Sequence, residues 1–210
     1  IVGAGVIGVE LGSVYQRLGS EVVFIEFLDR ICPAFDLSLS KALLKSLTQQ
    51  GMHFHLSHKV VKAQGTTLTV QGPKGEEAQW TGDVVLVAVG RKPYSDHLGL
   101  ETVGIQKDPK GFIPIDASFR TTQSHIFAIG DLVEGPMLAH KASEEGVAVA
   151  ELIGGHRPIL NYIAIPNVIY THPEVAAVGL TEEEIKERKI SYKASQFPFK
   201  ANSRARCMNE

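Results

Sequence analysis

The opening of the chain constrains its fold more than any other stretch. Gly3, Gly5 and Gly8 stand at G-x-G-x-x-G spacing directly after the apolar pair Ile1-Val2. A helical run to Leu18, then Gly19, leads into a second apolar stretch that ends at Glu26. This reads as strand, tight turn, helix, strand. Gly3 allows the turn, Gly5 lets the backbone approach a diphosphate, and Gly8 lets the helix pack close to the strand. The N–H groups of the helix's first turn and the positive end of its dipole then face an anion. Ile7, Leu11, Val14 and Leu18 recur at helical spacing and predict the face that covers a sheet. Glu26 falls where an acid accepts the hydroxyls of an adenosine ribose, about 20 residues past the glycines.

A glycine turn alone would fit an ordinary βαβ unit that binds nothing. The strand before it, the helix after it and the terminal acid together point to a dinucleotide site. The carboxylate of Glu26 repels a 2′-phosphate, which favours NAD over NADP, and Arg30 alone does not cancel it.

Further along, Asp36 is a candidate N-cap. Leu39, Leu43, Leu44 and Leu47 mark the buried face of the helix it starts. Residues 53–56 read as a short strand. Residues 60–63, 66–70 and 78–80 form β runs separated by Gly65 and by the turn at 72–75, an antiparallel meander. The unbroken apolar run at 83–89 has the signature of a strand buried on both faces. Gly90 follows at the carboxyl end of that strand. There it serves either as a close approach to a nicotinamide ribose or as a strand-end turn.

Residues 111–116 and 125–131 read as further strands, the second running into Gly130-Asp131. A helix over about 138–153 follows, with Ala142, Val147, Ala150 and Leu152 at its small and apolar positions. Standing alone, this stretch favours a capping aspartate in a loop. Beside a dinucleotide fold, Asp131 also suits a polyol hydroxyl, and the helix start suits a negatively charged ring edge. Short strands are expected at 167–170 and 174–179. Thr181 and Glu184 form a capping box, Glu182–Lys186 and Glu184–Arg188 form i,i+4 pairs, and residues 191–200 resume as strand.

Composition excludes some classes. A net charge of −2 argues against a nucleic-acid surface. No apolar run approaches a membrane span, and no stretch reads as a signal peptide. Cys32 and Cys207 lack C-x-x-C spacing and read as unpaired thiols in a reducing compartment. His53, His55 and His58 lack a third ligand at convincing spacing and read as an exposed edge strand rather than a metal site. The first residue is Ile rather than Met and lies inside a strand, as expected of a piece of a longer protein.

These stretches together resemble the flavin-dependent pyridine nucleotide–disulfide oxidoreductases, and within them the dihydrolipoamide dehydrogenases. The matching words are residues 3–12, 26–27, 89–93, 128–131, 134–141, 168–175 and 197–204. The resemblance implies an α/β fold in three parts. A Rossmann-like NAD-binding domain with a parallel sheet and β-meander crossover would occupy 1–92. The second segment of an FAD-binding domain would occupy 93–158, and the start of an α+β dimerisation domain 159–210. It implies that Gly3, Ala4, Gly5, Val6, Ile7, Gly8, Val9, Glu10, Glu26, Val60 and Gly90 contact NAD. Asp131 would hold the FAD ribitol, and Met137, Leu138, Ala139 and His140 would lie against the flavin's pyrimidine edge. Glu10 would also support the flavin–nicotinamide side.

The implied activity is NAD-linked oxidation of dihydrolipoamide by a homodimer, with the lipoyl domain of a 2-oxoacid dehydrogenase complex as partner, in a bacterial cytoplasm or mitochondrial matrix. The alternatives are a glutathione- or mercuric-reductase-like flavoprotein and a non-catalytic NAD-binding module. The family's first FAD segment, its C-x-x-x-x-C redox pair and its His-Glu pair have no counterpart here. No catalytic residue is therefore expected within these residues, no metal is implied, and the segment alone is expected to be inactive.

Overall fold

The computed structural model describes residues 1–208, which form two compact units, one spanning Ile1–Gly179 and a second beginning at Leu180.

In the first unit the glycine turn leads into α1 (Val6–Arg17), followed by β1 (Val23–Ile25), α2 (Leu37–Gln49) and β2 (His53–His55). β1 and β2 pair in parallel, Val23 opposite His53 and Ile25 opposite His55. Val2 bridges in parallel to Ile25 on one side and to Val87 on the other. The parallel array therefore runs 86–88, 1–3, β1, β2, and the carboxyl ends of its members converge at Gly3, Glu26 and Gly90. The crossover between β2 and the 86–88 segment is an antiparallel meander, β3 (Lys59–Gln64), β4 (Thr67–Gln71) and β5 (Glu77–Thr81).

Two layers of core hold this part together. Val9, Phe24, Ile31, Leu43, Leu47 and Met52 are buried between the array and the helices, with Leu39 and Leu44 packed against them. On the other side Leu68 and Val70 of the meander pack on Ile25, with Val2, Val85 and Trp80 at the edge. Phe24 and Phe54 stack across the β1–β2 pair at 4.4 Å. α2 begins as expected: the Asp36 carboxylate accepts from the Ser38 N–H at 2.8 Å.

Two expectations about burial are corrected. On α1 the apolar stripe faces outward: Ile7, Leu11, Val14 and Leu18 are exposed, whereas Gly8, Val9, Gly12 and Ser13 are buried. The physical reason is distance of approach. A Cβ on Gly8 would stand 2.2 Å from the Gly3 carbonyl oxygen, and one on Gly12 would stand 2.3 Å from the Phe24 ring. The helix docks through its smallest residues, so the bulky ones are turned away. The 83–89 run is likewise not buried on both faces. Val84, Val87 and Val89 are exposed, because the segment occupies an edge of the array beside Val2.

The stretch from 93 to 138 is largely irregular. The strands expected at 111–116 and 125–131 are extended segments tied by single contacts. Ile113 N–H donates to Leu132 O at 2.8 Å, and Arg120 and Phe127 form one antiparallel bridge. Pro114 removes a ladder donor, and Gly130, at φ +69, bends the second segment before a ladder forms. A small core of Ile105, Ile113, Ala128 and Val133 sits beneath them. α3 (Ala139–Ile153) follows, but its buried positions are Lys141, Glu145 and Ala148, while Val147 is exposed. β6 (Asn167–Ile169) and β7 (Val175–Ala177) then pair antiparallel.

The second unit contains α4 (Glu182–Glu187) and α5 (Ser203–Met208). The capping box is complete: Glu184 N–H donates to Thr181 Oγ1 at 3.2 Å, and Thr181 N–H donates to Glu184 Oε2 at 2.8 Å. The Thr181 N–H bond is the main cause of a Glu184 carboxyl held below its usual range. Lys186 reaches Glu182 at 2.8 Å. The strand expected at 191–200 is absent; the segment is irregular and ends in a single 3-10 turn, Phe199–Ala201. A strand exists through its neighbour's hydrogen bonds, and this unit has no partner strand among the described residues.

Candidate functional site

A cleft of about 810 Å³ opens at the carboxyl ends of the parallel array. Gly3, Gly5, Val6, Ile7, Glu26, Val60 and Gly90 line it, together with Pro33, His58 and the 87–89 segment. Residues nominated from four separate stretches of sequence thus share one cavity. Ala4, Gly8 and Val9 do not line it; they are buried beneath its floor.

The floor leaves backbone donors facing open space. α1 starts at Gly5, which makes no side-chain cap, so the first-turn N–H groups are left to an outside acceptor. A Cβ on Gly5 would meet nothing within 4 Å, and neither would one on Gly90: both glycines border open space. Gly3 differs. At φ +97 it turns the chain, and a Cβ there would stand 2.5 Å from Ala88 O.

Glu26 is only 8% exposed, and its carboxylate is already engaged on the protein side. Oε2 accepts from Ala4 N–H at 2.6 Å and Oε1 accepts from Leu28 N–H at 2.8 Å. Each oxygen keeps a second lone-pair direction, so the acid is held rigid at the cleft wall as an acceptor. Ala4, nominated as a ligand contact, thereby orients Glu26 together with Leu28. Glu10 accepts from Tyr170 N–H at 2.8 Å and is not part of the cleft lining.

Beneath this floor lies Cys32, free and fully buried, whose N–H donates to Ala4 O at 2.9 Å. Burial, reinforced by the negative charges of Glu10 and Glu26, pushes its thiol up to about 12. It is a packing residue and not a nucleophile. Cys207 is exposed. Among the described residues no three His, Cys, Asp or Glu gather to hold a metal ion. His55 and His58 pack instead on Trp80, with ring centroids at 4.3 and 6.3 Å. Burial, then the neighbouring His58 and His53, lower the His55 pKa.

A second corner lies beyond the cleft. Asp131 is half-buried in a 3-10 turn (Gly130–Leu132), and Arg91 Nη2 reaches its Oδ2 at 2.5 Å. Arg91 also donates to Met137 O at 3.4 Å. Met137 and Leu138 are half-buried, and Ala139 and His140 are exposed at the uncapped start of α3. His140 Nε2 donates to Pro166 O at 2.8 Å. A carboxylate, a second set of unclaimed helix-start N–H groups and a guanidinium suit a polyol joined to a ring whose edge gains negative charge. The chemistry of this donor set fits a flavin.

Sequence reasoning missed three contributors to this corner: Arg91, Lys141 and Glu145. The i,i+4 spacing of Lys141 and Glu145 was the one available signal, but that pattern normally marks a solvated helix face.

Comparison with known proteins agrees with this geometry. Residues 1–146 match the family described as pyridine nucleotide-disulphide oxidoreductase, and residues 165–210 match its dimerisation domain. Dihydrolipoyl dehydrogenase 3 of Pseudomonas aeruginosa is 47% identical over 215 residues, covering 100% of this chain and 46% of the relative. The mitochondrial dihydrolipoyl dehydrogenase of Canis lupus familiaris is 48% identical over 213 residues, covering 98% and 42%. Among solved structures, LpdA from Mycobacterium tuberculosis superposes with a TM-score of 0.86 at 26% identity, over 99% of this chain and 46% of that one. The HOCl-induced flavoprotein disulfide reductase RclA from Escherichia coli superposes with a TM-score of 0.86 at 27% identity, over 100% and 48%. The chain spans less than half the length of these relatives. With glycine floor, acidic wall and Gly-Asp corner in one unit and matches over nearly its whole length, the chain belongs to the pyridine nucleotide-disulphide oxidoreductase family.

Proposed function

We propose that this chain is part of a dihydrolipoamide dehydrogenase, a homodimeric flavoprotein that oxidises dihydrolipoamide on the lipoyl domain of a 2-oxoacid dehydrogenase complex and reduces NAD⁺. The observation that carries this reading is the 47–48% identity to proteins named dihydrolipoyl dehydrogenase over 98–100% of the chain. Residues 1–92 are read as the NAD-binding domain, 93–158 as the second segment of the FAD-binding domain and 159–210 as the start of the dimerisation domain. Relatives named from a bacterium and from mitochondria favour the bacterial cytoplasm or the mitochondrial matrix. No helix of the described residues is long and apolar enough to cross a membrane.

In this reading Gly3, Gly5 and the first turn of α1 receive the diphosphate of NAD, with Val6 and Ile7 alongside. Ala4, Gly8 and Val9 shape that turn from below. Glu26 accepts the adenosine ribose hydroxyls and rejects a 2′-phosphate by charge. Val60 and Gly90 flank the path toward the nicotinamide, and Glu10 supports that side. Asp131 accepts from the ribityl chain. The Met137–His140 stretch offers backbone N–H groups where the ring gains negative charge, an electrostatic contribution of the oxyanion-hole kind. Bound flavin supplies the two-electron redox chemistry; the residues of this chain bind, orient and exclude water.

The test is to express the full-length protein, look for a bound yellow flavin and assay NAD⁺-linked oxidation of dihydrolipoamide. A flavin-bearing product active with NAD⁺ and inert with NADP⁺ supports the reading. A colourless product, or one that prefers glutathione disulfide or mercuric ion, overturns it.

A further inference from the structure

The buried face of α3 carries an ion pair where apolar residues are expected. Lys141 and Glu145 are each 1% exposed, with Nζ and Oε1 3.1 Å apart. A buried pair of this kind gives up so much hydration that well-packed apolar side chains often stabilise a fold equally well or better. Core stability is therefore a poor account of it, and its hydrogen bonds suggest another.

Both charged groups converge on the backbone of one residue, Gly130. Glu145 Oε2 accepts from Gly130 N–H at 2.7 Å, and Lys141 Nζ donates to Gly130 O at 3.0 Å. Gly130 lies in the left-handed region at φ +69, and a Cβ added to Gly135, in the same loop, would stand 3.6 Å from Lys141 Nζ. Tyr162 adds a third member: its hydroxyl donates to Glu145 Oε1 at 3.0 Å. The two Glu145 oxygens are thus divided, one to the pair and the phenol, the other to the corner. The residue fixed by this clamp is the one immediately before Asp131, whose side chain is independently held by Arg91 at 2.5 Å.

We propose that Lys141, Glu145 and Tyr162 are positioning residues that fix the Gly130–Asp131 corner so that the Asp131 carboxylate meets the hydroxyls of a flavin's ribityl chain. The proposal rests on the reading of Asp131 given above. Tyr162 belongs to the turn Tyr162–Ala164, four residues before the Pro166 carbonyl that accepts from His140. The chain that follows α3 therefore returns across its first turns and closes the clamp from outside.

The test uses the full-length protein stripped of flavin and titrated with FAD, following flavin fluorescence and the visible circular dichroism of the bound form. Tyr162→Phe and Glu145→Gln are each made alone and in an Asp131→Ala background. Tyr162→Phe is expected to weaken FAD binding a few-fold and Glu145→Gln about tenfold, both altering the visible dichroism. In the Asp131→Ala background both losses are expected to vanish, because the clamp acts through that carboxylate. Equal losses in both backgrounds would show packing alone and overturn the proposal. Unchanged affinity in Tyr162→Phe and Glu145→Gln beside a loss in Asp131→Ala would also overturn it while leaving the flavin reading of Asp131 standing. Should Asp131→Ala itself bind FAD normally, that reading falls and takes the proposal with it. Tyr162→Phe keeps the test open if Glu145→Gln does not fold.

Discussion

Arg91 and Asp131 are joined by a 2.5 Å contact across 40 residues of sequence, and this bond links the cleft to the Gly-Asp corner. Arg91 directly follows Gly90, which lines the cleft, so the residue bonded to Asp131 adjoins the cleft in sequence. The pair is half-exposed, with side-chain exposures of 51% and 36%, and solvent screens it. Arg91→Ala is therefore expected to lower stability by less than about 1 kcal/mol, read as the shift in a urea midpoint. A loss several times larger would mean that the contact is a structural keystone and not an orienting one.

Glu26→Ala is expected to weaken NAD binding by about 2–4 kcal/mol, the worth of one or two charge-assisted hydrogen bonds. Calorimetric titration of the full-length protein measures it. The variant also strands the Ala4 and Leu28 N–H donors, so thermal stability should fall alongside affinity. Normal affinity in a folded Glu26→Ala protein would place the ribose elsewhere.

Two glycines five and eight residues into the chain should respond oppositely to alanine. At Gly5 a Cβ meets nothing within 4 Å, so Gly5→Ala should leave stability nearly unchanged and weaken NAD binding by filling the diphosphate cradle. At Gly8 the same Cβ would lie 2.2 Å from Gly3 O, so Gly8→Ala should destabilise by about 1–3 kcal/mol through overpacking against backbone. Thermal midpoints paired with NAD titrations distinguish them. The reverse ordering would refute the docking of α1 through Gly8.

Cys32 predicts an alkaline limb of stability. Its thiol is raised from 9.0 to about 12 in the folded protein, so the native state holds a proton that the unfolded chain releases. The contribution is complete below about pH 9 and is lost as pH rises toward about 12, with a slope approaching 1.4 kcal/mol per pH unit. Denaturant midpoints taken from about pH 8 to about pH 11 should fall more steeply in the wild type than in Cys32→Ala. Parallel limbs would mean that the thiol is not desolvated.

Much of the architecture was readable because it depends on neighbours in sequence. The Asp36 cap and the Thr181–Glu184 box rest on hydrogen bonds closed within three residues, and each meander strand pairs with its neighbour in sequence. Their side chains announce them. Gly3, Gly5, Glu26, Val60 and Gly90 were nominated one by one, and the cleft brings them together.

Other features belong to packing between distant segments, and there the local pattern misled. Helical periodicity finds an apolar stripe on α1 but does not say which face docks; Gly8 and Gly12 against Gly3 and Phe24 decided that. It gives no sign that Lys141 and Glu145 are buried; the N–H and C=O of Gly130, eleven residues upstream of Lys141, engage both inside. The sequence by itself determined which short segments turn, cap and alternate, since those energies are local. Tertiary structure alone decided which faces are buried, how Ala4 meets Glu26 and how Arg91 meets Asp131, since each of those bonds forms only after the chain has closed a long loop.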